Sequence, residues 1–366
     1  MKRGIYYGLA SAALFGVSTP LSKALVGAIA PLWLASILYI GAGVGLLVVL
    51  VVRRRYDALS PLALPTGRDW MWVGSAIALG GIAGPVALMY GLTSTSGATA
   101  TLLLNLEAVL TALVAWFVFH ENFDRRIALG MAVIVLGAAI LAASPAGAHS
   151  SPMGSTLVTV ACLCWALDNN LTRRASASDP VLLASLKGLV AGTANAGLAW
   201  VLGTPMPTLL SAGAGAVVGF AGYGVSLVLF ILALRHLGTA RTSAYFSVGP
   251  FFGAIVALFM GQGALTWSFV VAAGLMALGV WLHVSERHAH EHLHEPQEHI
   301  HSHVHDEHHR HEHAFAWDGS EPHTHRHFHA ALRHSHPHYP DLHHRHRHRP
   351  GNTAIDRTSA AADQRK

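Results

Sequence analysis

The chain has 366 residues, 52% apolar and 12% charged, with a formal net charge of +5 at pH 7. Of its 19 acids, 11 lie beyond Arg287, so an apolar body precedes a polar tail. That distribution excludes an ordinary soluble globule and points to a polytopic membrane protein, and the absence of a Gly-x-x-x-x-Gly-Lys-Ser/Thr loop excludes ATP hydrolysis of the usual kind.

Ten apolar runs follow one another: Ile5–Val26, Pro31–Val52, Trp70–Leu92, Ala98–Phe119, Ile127–Ala143, Met153–Leu171, Val181–Leu202, Ala212–Leu234, Thr239–Gly261 and Leu265–His283. Met1-Lys2-Arg3 before the first run has the look of a signal peptide, but the run is long and others follow, so it reads as a membrane helix. Gly and Pro interrupt several runs, notably at Pro20, Pro85 and Pro250. In a bilayer such breaks are tolerated where neighbouring helices or a cavity satisfy the freed backbone. Cys162 and Cys164 are two residues apart, a spacing that suits packing and not a Cys-x-x-Cys redox or zinc site.

Basic residues gather in alternate connections. Arg53, Arg54, Arg55 and Arg68 follow the second run, Arg125 and Arg126 the fourth, Arg173 and Arg174 the sixth, and Arg235 and Arg241 flank a turn after the eighth. The positive-inside rule then predicts both termini in the cytoplasm of an inner-membrane protein. The basic balance comes from these loops and the tail, and no nucleic-acid motif accompanies it.

Glu107 is the anomaly of the body. It falls near the centre of Ala98–Phe119, where an ionised group costs roughly 2.5–3.5 kcal/mol or more unless it faces protein or water. Thr111, four residues on, shares its helix face, and the two together suit a cationic or amine-bearing substrate or a coupling proton. The plainer reading is an acid hydrogen-bonded between helices. Asp168, Asn169 and Asn170 near the end of the sixth run face Lys187 and Asn195 in the seventh. Similar depth predicts an Asp168–Lys187 ion pair, either a cytoplasmic gate or substrate contact or a static structural pair. Trp33, Tyr39, Tyr90, Trp165, Tyr223, Tyr245 and Phe246 are candidate cavity walls, or belts and packing. No nucleophile and base occur at recognisable spacing, so no catalytic residue is assigned and no enzyme is expected.

Two stretches of one half line up with two of the other, each without internal gaps. Ala13 to Lys23 matches Leu163 to Arg173, and Ser96 to Thr101 matches Leu237 to Thr242, which sets His120-Glu121-Asn122 opposite Gly261-Gln262-Gly263. Five helices per half give the halves opposite orientations, as in carriers that alternate between two faces. With its mid-helix acid Glu107, the acid Glu121 in the following turn and the Gly249-Pro250 pair, the stretch from Ile5 to Glu286 resembles the EamA-type drug/metabolite transporters. Ala108 stands where that family often has Pro, and Gln262 where Glu is common. The resemblance implies an exporter of small metabolites, amino acids or drugs.

Beyond Arg287 lie 23 of the 27 histidines. They recur in alternation as His288, His290, His292 and His294, as His299, His301, His303 and His305, and as His323, His325, His327 and His329. Low apolar content predicts disorder, and His-x-His pairs in an extended chain present two imidazoles to one ion. Nickel, cobalt and zinc are the expected ligands, with many exchangeable sites and no required cofactor. The sequence therefore predicts an all-α membrane protein of ten transmembrane helices in two inverted five-helix repeats, residues 1–146 and 147–287, followed by a disordered tail, 288–366. Its expected partners are a small-molecule substrate, the lipid bilayer and divalent metal at the tail, with room for a homodimer. Two alternatives are a divalent-metal efflux protein that uses the tail as ion collector, and a membrane-anchored metal buffer or sensor.

Overall fold

The computed structural model describes residues 2–56, 65, 67, 69–119, 125–143, 151–172 and 178–284, with four tail stretches, 289–294, 297–303, 323–329 and 332–337. The body is all-helical. Its elements are α1 (Lys2–Leu25), α2 (Pro31–Tyr56), α3 (Asp69–Ala76), α4 (Gly84–Thr93), α5 (Gly97–Leu103), α6 (Asn105–Phe119) and α7 (Arg125–Ala143). There follow α8 (Pro152–Thr172), α9 (Pro180–Val201), α10 (Leu209–Gly219), α11 (Ser226–Phe246), α12 (Gly249–Phe259) and α13 (Trp267–Val284).

Helix starts and stops obey local chemistry. Ser96 caps α5 by accepting from Thr99 N at 3.1 Å. Asp179 caps α9 by accepting from Val181 N at 2.9 Å and Leu182 N at 3.0 Å, with Pro180 at the first helical position. Burial alone would raise the Asp179 carboxyl; the Arg53 guanidinium paired with it and these two amides outweigh that and hold it below its ordinary value. Gly203 and Gly261, at φ 64° and 68°, stop α9 and α12 in the left-handed region.

Five helical stretches are long and apolar enough to cross a bilayer: Pro31–Arg55, Asp69–Thr93, Gly97–Val118, Pro180–Val201 and Leu209–Leu234. Shorter apolar helices cover Ala128–Ala143, Gly249–Phe259 and Trp267–Leu282. Two of the long stretches contain a π-helical segment, Ile77–Ala83 between α3 and α4 and Phe220–Val225 between α10 and α11. The sequence predicts a turn between the eighth and ninth runs; instead α11 runs unbroken through Arg235 and Arg241. A single glycine, Gly238, costs a helix only about 1 kcal/mol, and α11 continues through it. The break in that half comes later, at Ser247-Val248, ahead of Pro250.

The principal contacts join one half of the body to the other. α2 packs on α9, α7 on α13, α5 on α12, α1 on α11 and α12, and α8 on α4 and α6. The α2–α9 crossing is a close backbone approach: a Cβ at Gly188 would meet Gly43 N at 2.6 Å, and one at Gly192 would meet Ile40 N at 2.7 Å. Ser185 Oγ donates to Gly43 O at 3.0 Å and Ser36 Oγ to Gly192 O at 2.8 Å, so hydroxyl bonds reinforce a small-residue seam, as helices in lipid require.

In the tail, β1 (Ala289–His294) pairs antiparallel with β4 (Leu332–Pro337), and β2 (Gln297–His303) with β3 (His323–His329). Composition predicts no regular structure there. The two-residue alternation of the histidines is also the period of a strand, and the described stretches adopt it. In this register His299 is opposite His327, His301 opposite His325 and His303 opposite His323.

Candidate functional site

Glu107 is in the first turn of α6, just past the break at Leu104 that separates α5 from α6. It is 7% exposed and accepts a hydrogen bond from Asn169 Nδ2 of α8 at 2.8 Å. The neighbouring Asn170 uses Nδ2 to bind Thr111 O at 3.2 Å and Ala166 O at 2.8 Å. α8 thus holds α6 through two consecutive amides.

A cavity with about 20 Å3 of room for solvent opens beside the carboxylate. It is lined by Leu104, Glu107, Ala108, Thr111 and Asn169 and by Phe15, Phe230, Phe246, Ser247 and Pro250. It lies where the broken fourth run meets the broken ninth. The ring centroids of Phe15 and Phe246 are 5.3 Å apart and those of Phe230 and Phe246 5.0 Å, so the phenyls form one wall. That wall continues through Phe15 to Trp165 at 5.6 Å and Tyr223 at 5.8 Å, and from Tyr223 to Tyr39 at 5.4 Å.

At the far end of the aromatic series is the expected ion pair. Lys187 of α9 donates to Asp168 Oδ2, and Thr172 Oγ1 donates to Asp168 Oδ1 at 2.9 Å; both charged side chains are buried. The pair is deeper than a gate at the cytoplasmic helix ends, because it packs against Gly80, midway along Asp69–Thr93, where a Cβ would fall 1.9 Å from Asp168 Oδ2. The π segment explains the fit. It turns carbonyls away from the regular ladder, and those of Gly80 and Gly81 are met by Tyr39 Oη at 2.7 Å, Trp165 Nε1 at 2.9 Å and Asn195 Nδ2 at 3.3 Å.

Of the residues singled out from the sequence, Glu107, Thr111 and Asn169 line the cavity, while Asp168 and Lys187 pair with each other outside its lining. Asn195 of α9 is buried but donates to Gly81 O of the π segment and does not line the cavity. Of the candidate aromatic walls, Tyr39, Trp165, Tyr223 and Phe246 join the series. Tyr90 is 39% exposed and Trp33 donates to Thr204 O at 3.1 Å, so these two point elsewhere. Phe15 and Phe230 were missed, since nothing marks a lining phenylalanine within an apolar run. Cys162 and Cys164 are free and buried, consistent with packing. Glu121 with its neighbours His120 and Asn122, together with Arg68, Arg173, Arg174, His288 and His305, lies outside the described residues, and for the tail histidines within the four described strands the backbone register alone is described.

Outside the cavity lining, three hydrogen bonds join helix ends. Lys23 Nζ of α1 donates to Leu92 O of α4, Gln262 Nε2 donates to Pro20 O at 2.9 Å, and Gln262 O accepts from Ala98 N at 3.2 Å.

Apolar spans packed around a small, mostly apolar cavity that holds one buried acid are the architecture of a multi-pass helical membrane protein. The EamA-like transporter family model matches the chain twice, over residues 2–143 and 152–285, and the chain belongs to that family, one of transporters and not of enzymes. An uncharacterized transporter of Methanothermobacter thermautotrophicus is 26% identical over 282 residues, covering 73% of this chain and 82% of the relative. The uncharacterized transporter YyaM of Bacillus subtilis is 26% identical over 219 residues, covering 56% of this chain and 71% of the relative. A crystal structure of a protein 16% identical shares the fold with a TM-score of 0.59, over 77% of this chain and 96% of that one.

Proposed function

We propose that this transporter is a secondary carrier that moves small metabolites, amino acids or drugs outward across the inner membrane by alternating access around the Glu107 cavity. Ten spans form two inverted five-helix repeats, 1–146 and 147–287, with both termini cytoplasmic. The observation that carries this reading is the cavity itself, enclosed between the break at Leu104 and the break at Ser247-Val248 beside the one acid of α6. Two further features support it. The contacts of α1 with α11 and α12 are echoed by those of α8 with α4 and α6, and among the described residues each half carries one π segment, as a repeat related by a two-fold axis would. Room for about one water beside Glu107, with the Gln262 and Lys23 contacts closed, fits a conformation shut toward the outside.

The test is accessibility. Thr111→Cys, in a background where Cys162 and Cys164 are replaced by Ala, should react with an impermeant thiol reagent from either side of the membrane, and trapping one conformer should silence one side. Reaction from a single side under every condition would refute alternating access.

The tail acts as a divalent-metal appendage, and the register of His299, His301 and His303 with His327, His325 and His323 is the observation that favours it. Opposite residues on an antiparallel pair are about 4.5–5.5 Å apart at Cβ, within reach of one ion. Truncation after Arg287 should abolish nickel, cobalt and zinc binding by the purified protein while leaving the Thr111→Cys labelling pattern intact. Metal efflux that disappears with the tail would instead favour the ion-collector reading, and metal storage without any transport the buffer or sensor.

A further inference from the structure

The charges buried in the helical body narrow the cargo. The described core buries two acids and one base close together, Glu107, Asp168 and Lys187. Lys187 is committed to Asp168, whose second oxygen is occupied by Thr172, so that pair is closed and neutral. Glu107 is left with one neutral donor, Asn169, on Oε1. Beside it Thr111, itself 7% exposed, has its hydroxyl without a hydrogen-bond partner among the described residues. Both line the cavity, and among the described residues lining it there is no Lys, Arg or His.

We infer that the Glu107 cavity binds an organic ammonium: a monovalent amine whose charged nitrogen meets Glu107 and Thr111 and whose apolar body lies against Phe15, Phe230 and Phe246. The inference rests on the carrier reading and names its substrate class. The chemistry has three parts. A buried carboxylate lacking a cationic partner gains most from a cation, because a neutral or anionic occupant leaves its desolvation uncompensated. The negative faces of aromatic rings attract the same charge, and three phenyls close one side of the site. A free hydroxyl oxygen accepts one N–H that the carboxylate does not. The room present fits a group the size of an ammonium or one water, and the remainder of the ligand enters as the phenyl wall parts from Glu107. An anion would find only neutral donors among the described lining residues, the Thr111 and Ser247 hydroxyls and the Asn169 amide, and would sit beside the Glu107 carboxylate.

The test uses three probes that share a skeleton and differ in charge: phenethylamine, 2-phenylethanol and phenylacetate. Binding to the full-length protein in nanodiscs is measured by equilibrium dialysis and by ligand-induced thermal stabilisation. Phenethylamine should bind at least about tenfold more tightly than 2-phenylethanol, a difference of about 1.4 kcal/mol, and phenylacetate should be excluded. Glu107→Gln should erase the preference for the amine, Glu107→Asp should retain it, and Phe246→Leu should weaken phenethylamine binding. Equal or tighter binding of the alcohol or the acid, no binding of any probe, or an amine preference that survives Glu107→Gln would overturn the inference. The carrier reading is judged separately by the two-sided labelling of Thr111→Cys, which needs no ligand, so either can fail alone.

Discussion

Lys187→Met should lower stability by about 3–5 kcal/mol, because it strands the Asp168 carboxylate in the core without a counter-charge. Asp168→Asn should cost a similar amount by stranding the ammonium. The double variant should recover most of the loss, since a neutral amide and a thioether together leave no charge buried and Thr172 can still donate to the residue at 168. Thermal unfolding of the four proteins in nanodiscs closes the cycle. Additive single effects would mean that the two groups do not interact. Transport read on the same four proteins separates the two roles predicted from the sequence. A static pair lets transport return with stability in the double variant. A pair that must open and close does not. The geometry favours the second result, because Asp168 packs on the π segment at Gly80, and a π segment inside a spanning helix is a place where the backbone has more than one register available.

The charged part of this site was legible in the sequence because lipid makes charges conspicuous. Glu107, Asp168 and Lys187 are rare departures in apolar runs, and each has few ways to be accommodated, so a partner could be inferred from depth alone. Its apolar part was not legible. Phe15 and Phe230 share their runs with many residues of equal hydropathy, and only packing against Phe246 distinguishes them. The π segments escaped for a related reason: Ile-Ala-Leu-Gly-Gly-Ile-Ala reads as an ordinary span, and what makes the insertion tolerable is the trio of distant donors, Tyr39, Trp165 and Asn195, that take up the freed carbonyls. The unbroken α11 shows the converse. Two arginines and a glycine read as a loop by charge, whereas backbone propensity alone allows them in a helix. Depth and charge are therefore readable in one dimension, while register and lining depend on contacts between the halves.

Glu107→Gln should separate function from stability in opposite directions. Replacing a carboxylate by an amide of the same shape keeps an oxygen for Asn169 Nδ2 to bind, so the α6–α8 contact survives. It also removes a charge whose burial is unfavourable, and the melting temperature should rise, by the equivalent of about 1 kcal/mol. Transport should fall by about 10–100-fold, since a hydrogen bond to a charged partner is worth about 1.5–3 kcal/mol. Uptake of a mixed pool of amines, amino acids and organic acids into proteoliposomes, with thermal unfolding of the same preparations, reads both quantities. If Glu107 only joined α6 to α8, the amide would serve as well and transport would be unchanged. If its charge held the fold through Asp168 and Lys187, the melting temperature would drop. An acid kept at a cost to stability, beside a free hydroxyl and a wall of rings, is explained by what enters the cavity, and only the combination of higher stability with lost transport agrees with that explanation.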